Sequence, residues 1–283
     1  MKSRWVVLAA LLALLMLVAA GCDGEDEAVP PPETTAPVET TPQPTPETST
    51  FAVYLLRDGV IAPVRRTVAS TPAVARASLE ALMTGPTGAE ESDGLVTAIP
   101  DGTTLLDVSV ADGVATVDLS GTFDDGGGSA SMLRRVAQVV ATLTQFSTID
   151  RVAFRLDGEP VETIGGEGVV VDPPIGRIAI EEQSPQILIE SPLQGDTVTS
   201  PVRVRGTANV FEATISIEVR DATGTVVHEG FTTATSGTGT RGTFDTTLPL
   251  PGLEGTMTII AFEASAEDGR PLHVVDVQVT LAR

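Results

Sequence analysis

Thr214-Ile215-Ser216-Ile217-Glu218-Val219-Arg220 decides the C-terminal half of this chain. Ile215, Ile217 and Val219 fall on one side of an extended strand, and Ser216, Glu218 and Arg220 on the other. That two-residue period is the signature of a strand with one face in a core. The final run repeats it, with Val275, Val277, Val279 and Leu281 on one face. Working outward, five more short runs keep a similar spacing: Ile187–Glu190, Val202–Thr207, Val226–Thr232, Gly242–Leu248 and Thr256–Ala264. Turn residues such as Asp221-Ala222-Thr223-Gly224 separate them, and no helical pattern intervenes. About seven strands in some 100 residues predict an immunoglobulin-like β-sandwich over residues 185–283. The cysteine pair and core tryptophan of antibody domains are missing, so the sandwich is expected to be held by apolar packing alone.

Upstream, residues 51–174 read differently. Phe51-Ala52-Val53-Tyr54-Leu55-Leu56 is a continuous apolar strand closed by Arg57-Asp58-Gly59, and Val60 to Val68 is its hairpin partner. Thr71-Pro72 opens a helix whose stripe is Val74, Leu79, Leu82 and Met83, and Gly85-Pro86 stops it. Leu105–Val110 and Val114–Leu119 form a second hairpin about Asp112-Gly113. Past the Gly-rich loop Asp124–Gly128, a second helix carries Leu133, Val136, Val140 and Leu143 on its stripe, with Arg134, Arg135 and Gln138 directed elsewhere. Arg151–Leu156 is a last strand. This order predicts an α+β domain with two helices packed on one face of a sheet.

The N-terminus supplies the address. A basic start (Lys2, Arg4), a 16-residue apolar run from Trp5 to Ala20 and small residues before Cys22 read as a secretory signal over residues 1–21. The run is short for a spanning helix of about 20 residues. Cys22 is the sole cysteine, and its position after Val18-Ala19-Ala20-Gly21 resembles the lipobox of bacterial lipoproteins, where that cysteine is acylated. An ordinary signal peptide, or a membrane helix with a chance cysteine, is the competing reading. Residues 22–50 read as a disordered tether: seven prolines, seven threonines and seven acidic residues occupy 21 of positions 23–50. Extended, it would reach about 85 Å, and as a coil roughly 30 Å.

Charge and composition exclude several functions. Once the leader is removed, every basic side chain is arginine, and 38 carboxylates face 15 of them. Such a surface repels nucleic acid. With Cys22 used as an anchor, no disulfide or catalytic thiolate remains. His228 and His273 stand in strands whose neighbouring Glu229 and Asp276 face the other way, so no metal site is expected. There is no Gly-x-Ser-x-Gly elbow, and a Ser–Lys pair is impossible without lysine. Asp124-Asp125 reads as a solvated turn. Gly237–Gly242 has the letters of a dinucleotide fingerprint, but a strand follows it where a helix is required. No catalytic residue, metal or cofactor is therefore expected. With eight phenylalanines, one tyrosine and no other aromatic beyond Trp5, rings for stacking on glycans are scarce. Arginine pairing with peptide carboxylates stays open, and Arg65, Arg66, Arg134 and Arg135 are the candidate partner-binding patches.

Two sets of motifs carry a resemblance. Leu82-Met83-Thr84-Gly85-Pro86, Gly94–Pro100, Asp112–Ser120, Ala141–Phe146 and Val152–Gly158 resemble, in order, the sporulation and spore-germination GerMN domain. Ser191-Pro192, Ser200-Pro201-Val202, Gly206-Thr207-Ala208, Asn209–Ala213, Arg241–Phe244 and Ala261–Ser265 are similar to the immunoglobulin-like Gmad2 domain associated with spore germination. The resemblance implies an exported, non-enzymatic envelope protein. With the lipobox-like Cys22, the chain is expected to be lipid-anchored on the outer face of the cell membrane, with an envelope protein or a peptidoglycan peptide as partner. A regulatory lipoprotein acting on a membrane sensor kinase is the alternative, and a cell-wall hydrolase a third. Sporulation is not implied, because GerMN modules also occur in lipoproteins of non-sporulating actinobacteria, whose composition this chain shares.

Overall fold

The computed structural model describes residues 47–165 and 168–283. The expected signal sequence, Cys22 and nearly all of the tether lie outside them. Strands β1 (Thr48–Arg57) and β2 (Val60–Ala69) form a long antiparallel hairpin. Phe51 to Leu56 of β1 are buried on both faces, as a continuous apolar run demands. Helix α1 (Val74–Met83) follows. It starts two residues later than the sequence suggests, because the Thr71 hydroxyl accepts the Ala73 N–H at 3.1 Å and holds a turn there first. A short helix α2 (Gly88–Ser92) was not foreseen, although Thr87 and Glu90 form a full capping box at its start.

Strands β3 (Leu105–Ala111), β4 (Val114–Leu119), β5 (Arg151–Leu156) and β6 (Glu159–Pro160) make a four-stranded sheet in sequence order. β4 and β5 run parallel, so the connection between them must cross over the sheet. Helix α3 (Ser129–Leu143) is that crossover. A two-stranded ribbon, β7 (Thr163–Ile164) with β8 (Val169–Val170), completes this domain. The sheet is thus in pieces, hairpin and four-stranded sheet being separate, and the helices join them.

Helix α3 is tied to β1 edge-on. Gln145 accepts the Ala52 N–H at 2.8 Å and donates to the Ala52 carbonyl at 2.7 Å. Thr142 accepts the Tyr54 N–H at 3.1 Å, and Gln138 donates to the Tyr54 carbonyl at 3.0 Å. Gln138 and Thr142 lie one turn apart on α3 and Gln145 just past its C-terminal end, so together they meet alternate residues of the strand. Side chains here replace the missing neighbour strand. This corrects the expectation for Arg135 and Gln138: both are buried, because α3 is covered from 135 to 143 on nearly every side.

The C-terminal domain is the expected sandwich. β9 (Ile187–Ser191), β11 (Val202–Ala208) and β14 (Gly242–Leu248) form one sheet, ordered β14-β11-β9. β10 (Thr197–Thr199), β12 (Thr214–Asp221), β13 (Val226–Thr233), β15 (Gly255–Ala264) and β16 (Pro271–Ala282) form the other, ordered β10-β16-β15-β12-β13. β10 was too short to read from the sequence. Ile215, Ile217, Val219, Ile259, Val279 and Leu281 fill the space between sheets. Leu188 and Leu193, by contrast, are buried in the core of the first domain, with Ile180 of the connecting segment.

Candidate functional site

The segment between the domains is a 3-10 turn over Arg177–Gln183, clamped at both ends. Arg177 donates to Thr144 Oγ1 at 2.7 Å and to the Ala141 carbonyl at 3.2 Å, both on the first domain. It also donates to Glu190 Oε1 at 2.7 Å, and its guanidinium lies 5.1 Å above the Tyr54 ring. The Tyr54 hydroxyl donates to the same Glu190 oxygen at 2.7 Å and accepts from Arg177 at 3.3 Å. Burial, then the Glu190 charge, pushes the Tyr54 hydroxyl well above its ordinary pKa, against the opposing pull of Arg177. At the far end Glu181 accepts from Arg241 at 2.7 Å and Asn209 at 3.0 Å. Burial alone would raise the Glu181 pKa; these two donors outweigh it and hold the carboxyl below its usual range.

A bulge in the sandwich aims Glu190 at this joint. Arg205 pairs with Ser191 and Gly206 with Ile189, which leaves Glu190 as the extra residue of β9. Only glycine fits at 206. A Cβ there would lie 2.0 Å from the Leu188 carbonyl oxygen and 2.7 Å from the Phe244 ring.

Beside the clamp opens a cleft of about 840 Å³. Tyr54, Thr144 and Gln145 line it from the first domain, and Arg177, Ile178 and Glu181 from the connecting turn. Arg205, Thr207, Thr233, Thr235, Thr243 and Asp245 line it from the sandwich. Its charged lining is balanced, with Arg177, Arg205 and Arg241 against Glu181, Glu190 and Asp245. Arg203, outside the lining, holds Asp245 through two bonds, one of 2.8 Å. Arg177 and Arg241 are spent on Glu190 and Glu181. The Arg205 side chain is exposed and makes no ion pair or hydrogen bond among the described residues, and its charge acts on Asp245 only at longer range. It is the cationic surplus of the cleft, in a chain whose formal charge is −21. Ile178 stands 93% exposed on the rim.

The four arginines singled out from the sequence are all engaged within the chain. Arg65 makes a bidentate pair with Asp196 of the sandwich, a second bond across the joint. Arg66 grips Glu90 at 2.6 and 2.8 Å. Arg134 donates to the Gly59 carbonyl at 3.1 Å. Arg135 is buried and donates to the carbonyls of Ala98, Phe123 and Gly126 at 2.8–2.9 Å. Arg177, Glu190 and Arg205, which build the joint and the cleft, were not singled out. Gly206 inside an alternating strand was the available signal, since such a glycine marks a bulge or a close backbone approach.

Other candidates fall into place. His273, about half exposed, lies 3.8 Å from the largely covered Glu263, and no group of three metal-ligating residues occurs among the described residues. Gly237 to Gly242 is the loop between β13 and β14. Asp124 accepts the Gly165 N–H and so ties its loop to the distant β7–β8 ribbon. Among the described residues no helix is long and apolar enough to cross a membrane.

Residues 52–162 match the Germane family model, described as sporulation and spore germination. Residues 186–270 match the Gmad2 model, the immunoglobulin-like domain of bacterial spore germination. No curated protein matches the sequence. Among solved structures, the first GerMN domain of the sporulation protein GerM from Bacillus subtilis is 24% identical, with 46% of this chain and 98% of that one covered and a TM-score of 0.40. The tandem GerMN domains of the same protein are 19% identical over 72% of this chain and 62% of theirs, with a TM-score of 0.42. A protein from Clostridium perfringens, named as a candidate lipoprotein, is 20% identical over 48% of this chain and 93% of its own, with a TM-score of 0.36.

Proposed function

The chain carries a GerMN domain followed by a Gmad2 immunoglobulin-like domain, and from that premise we propose that it is a lipid-anchored recognition protein of the cell envelope. In this reading Cys22 is acylated, residues 23–50 are a stalk, and the two domains act as one binding body at the outer face of the cytoplasmic membrane. The observation that carries it is the joint. Arg177, Glu190, Tyr54, Arg65 and Asp196 tie the domains together around a polar cleft. Charge-assisted bonds of this kind hold geometry as well as contributing energy. Binding rather than turnover is favoured by the state of the carboxylates in the cleft. Glu181, Glu190 and Asp245 are each held by an arginine, so none stands free as a general base.

Fractionation of cells tests the anchor: Cys22→Ala is expected to move the protein from the membrane to the soluble fraction, and unchanged membrane retention refutes it. Capture on purified peptidoglycan, set against capture from detergent-solubilised membranes, tests recognition. Retention of the wild-type protein by neither refutes the binding role.

A further inference from the structure

We propose that the cleft between the two domains binds a peptide through a single free carboxylate, with Arg205 as the anchoring cation. This deepens the recognition reading above and rests on it. The charge count of the cleft sets the ligand's charge. Three guanidiniums and three carboxylates line it, Arg203 neutralises Asp245 from outside, and the remainder is one cation. A guanidinium presents a planar fork of donors that matches a carboxylate. A polyanion would find only one free cation in a chain whose formal charge is −21, so a ligand with one negative charge is selected.

The rest of the lining favours a peptide over a sugar chain. The two aromatic rings of the cleft, Tyr54 and Phe244, are 1% and 3% exposed. Neither offers a face for stacking on a pyranose ring. Thr233, Thr235 and Thr243 instead present exposed positions along the sandwich wall; Thr235 and Thr243 bond one another at 3.4 Å, and each hydroxyl keeps capacity to meet a peptide backbone. Ile178, fully out in solvent on the rim, supplies an apolar contact for an aliphatic side chain. Asp245 faces Arg205 directly across the strand pair; both arginines act on it, but its direct bonds go to Arg203, which leaves the Arg205 donors open. Arg203 is therefore a positioning residue that never touches the ligand.

The experiment immobilises the full-length acylated chain in detergent and measures retention of a mixed-sequence pool of N-acetylated tetrapeptides with free C-terminal carboxylates. The same pool with amidated C-termini, a peptidoglycan stem peptide and inorganic polyphosphate are the comparison probes. The expected result is retention of a carboxylate probe and loss of about ten-fold or more on amidation. Arg205→Gln is expected to lose binding by a similar factor with unchanged thermal unfolding. Arg203→Gln should weaken it by freeing Asp245 to pair with Arg205, and Arg203→Gln with Asp245→Asn should restore it. Arg283→Gln, which removes the same charge far from the cleft in a pair with Glu254, should change nothing. Preference for the stem peptide or for the linear pool identifies wall or protein as the source. Equal retention of the amide pool, wild-type binding by a folded Arg205→Gln, equal capture of polyphosphate, or retention of no peptide overturns the proposal. If peptidoglycan or membrane capture succeeds while no carboxylate probe is retained, the recognition reading stands and this inference falls.

Discussion

At the scale of single residues, Gly206 and Tyr54 carry the clearest consequences. Gly206→Ala places a methyl group 2.0 Å from a backbone oxygen, which no rotamer relieves. A loss of about 2–3 kcal/mol is expected, read as a lowered urea midpoint. Tyr54 is the chain's single tyrosine, so phenolate absorbance reports on it alone. Its pKa in the folded state is raised by burial and by Glu190. The stability this contributes is full below the ordinary value of about 10 and is lost as pH climbs toward the folded value. The native protein should show no phenolate just above pH ~10, and ionisation should appear together with unfolding. A tyrosine that titrates freely near its ordinary value in the folded chain contradicts the buried network.

At the scale of elements, the bond between α3 and β1 is where side chains stand in for secondary structure. Gln138→Ala leaves the Tyr54 carbonyl without its donor inside the core and is expected to cost about 2–3 kcal/mol in thermal or denaturant unfolding. The connecting turn has its own acid sensitivity. The Glu181 carboxyl is held low by Arg241 and Asn209 against its burial. Its contribution is therefore present above the ordinary carboxylate pKa of about 4 and fades as pH falls through the folded value. Glu181→Gln should flatten the acid limb of a stability–pH profile; an unaltered limb would show that the contact contributes nothing. The elements themselves were largely legible in the sequence. Ile215-Ser216-Ile217 announces its strand because one face is wet and one dry, and β1 announces itself by being apolar throughout. The joint was not legible, because Arg177, Glu190 and Arg205 have no local pattern. Their roles come from a bulge and from contacts over long sequence separations, as with Tyr54 and Glu190. For the same reason the internal partners of Arg65, Arg66, Arg134 and Arg135, the residues of the two candidate patches, could not be read from the sequence.

At the scale of the molecule, two sequence families meet in one structural unit over Thr45–Arg283. Calorimetry is expected to give a single unfolding transition for both domains, and Leu188→Ala, at a cost of about 2–4 kcal/mol, should broaden or split it. Two separate transitions in the unaltered protein would show the joint to be too weak to couple them. The burial of Leu188 and Leu193 in the core of the first domain has a further consequence for the order of events during synthesis. A chain made from its N-terminus presents residues 51–174 before β9 has emerged. Until Leu188 and Leu193 arrive, the first domain lacks two of its own core side chains and presents an apolar surface to its surroundings. Its folding is thus completed from behind, by the leading strand of the domain that follows. A chain halted before residue 188 should be degraded rather than retained as a smaller, stable product.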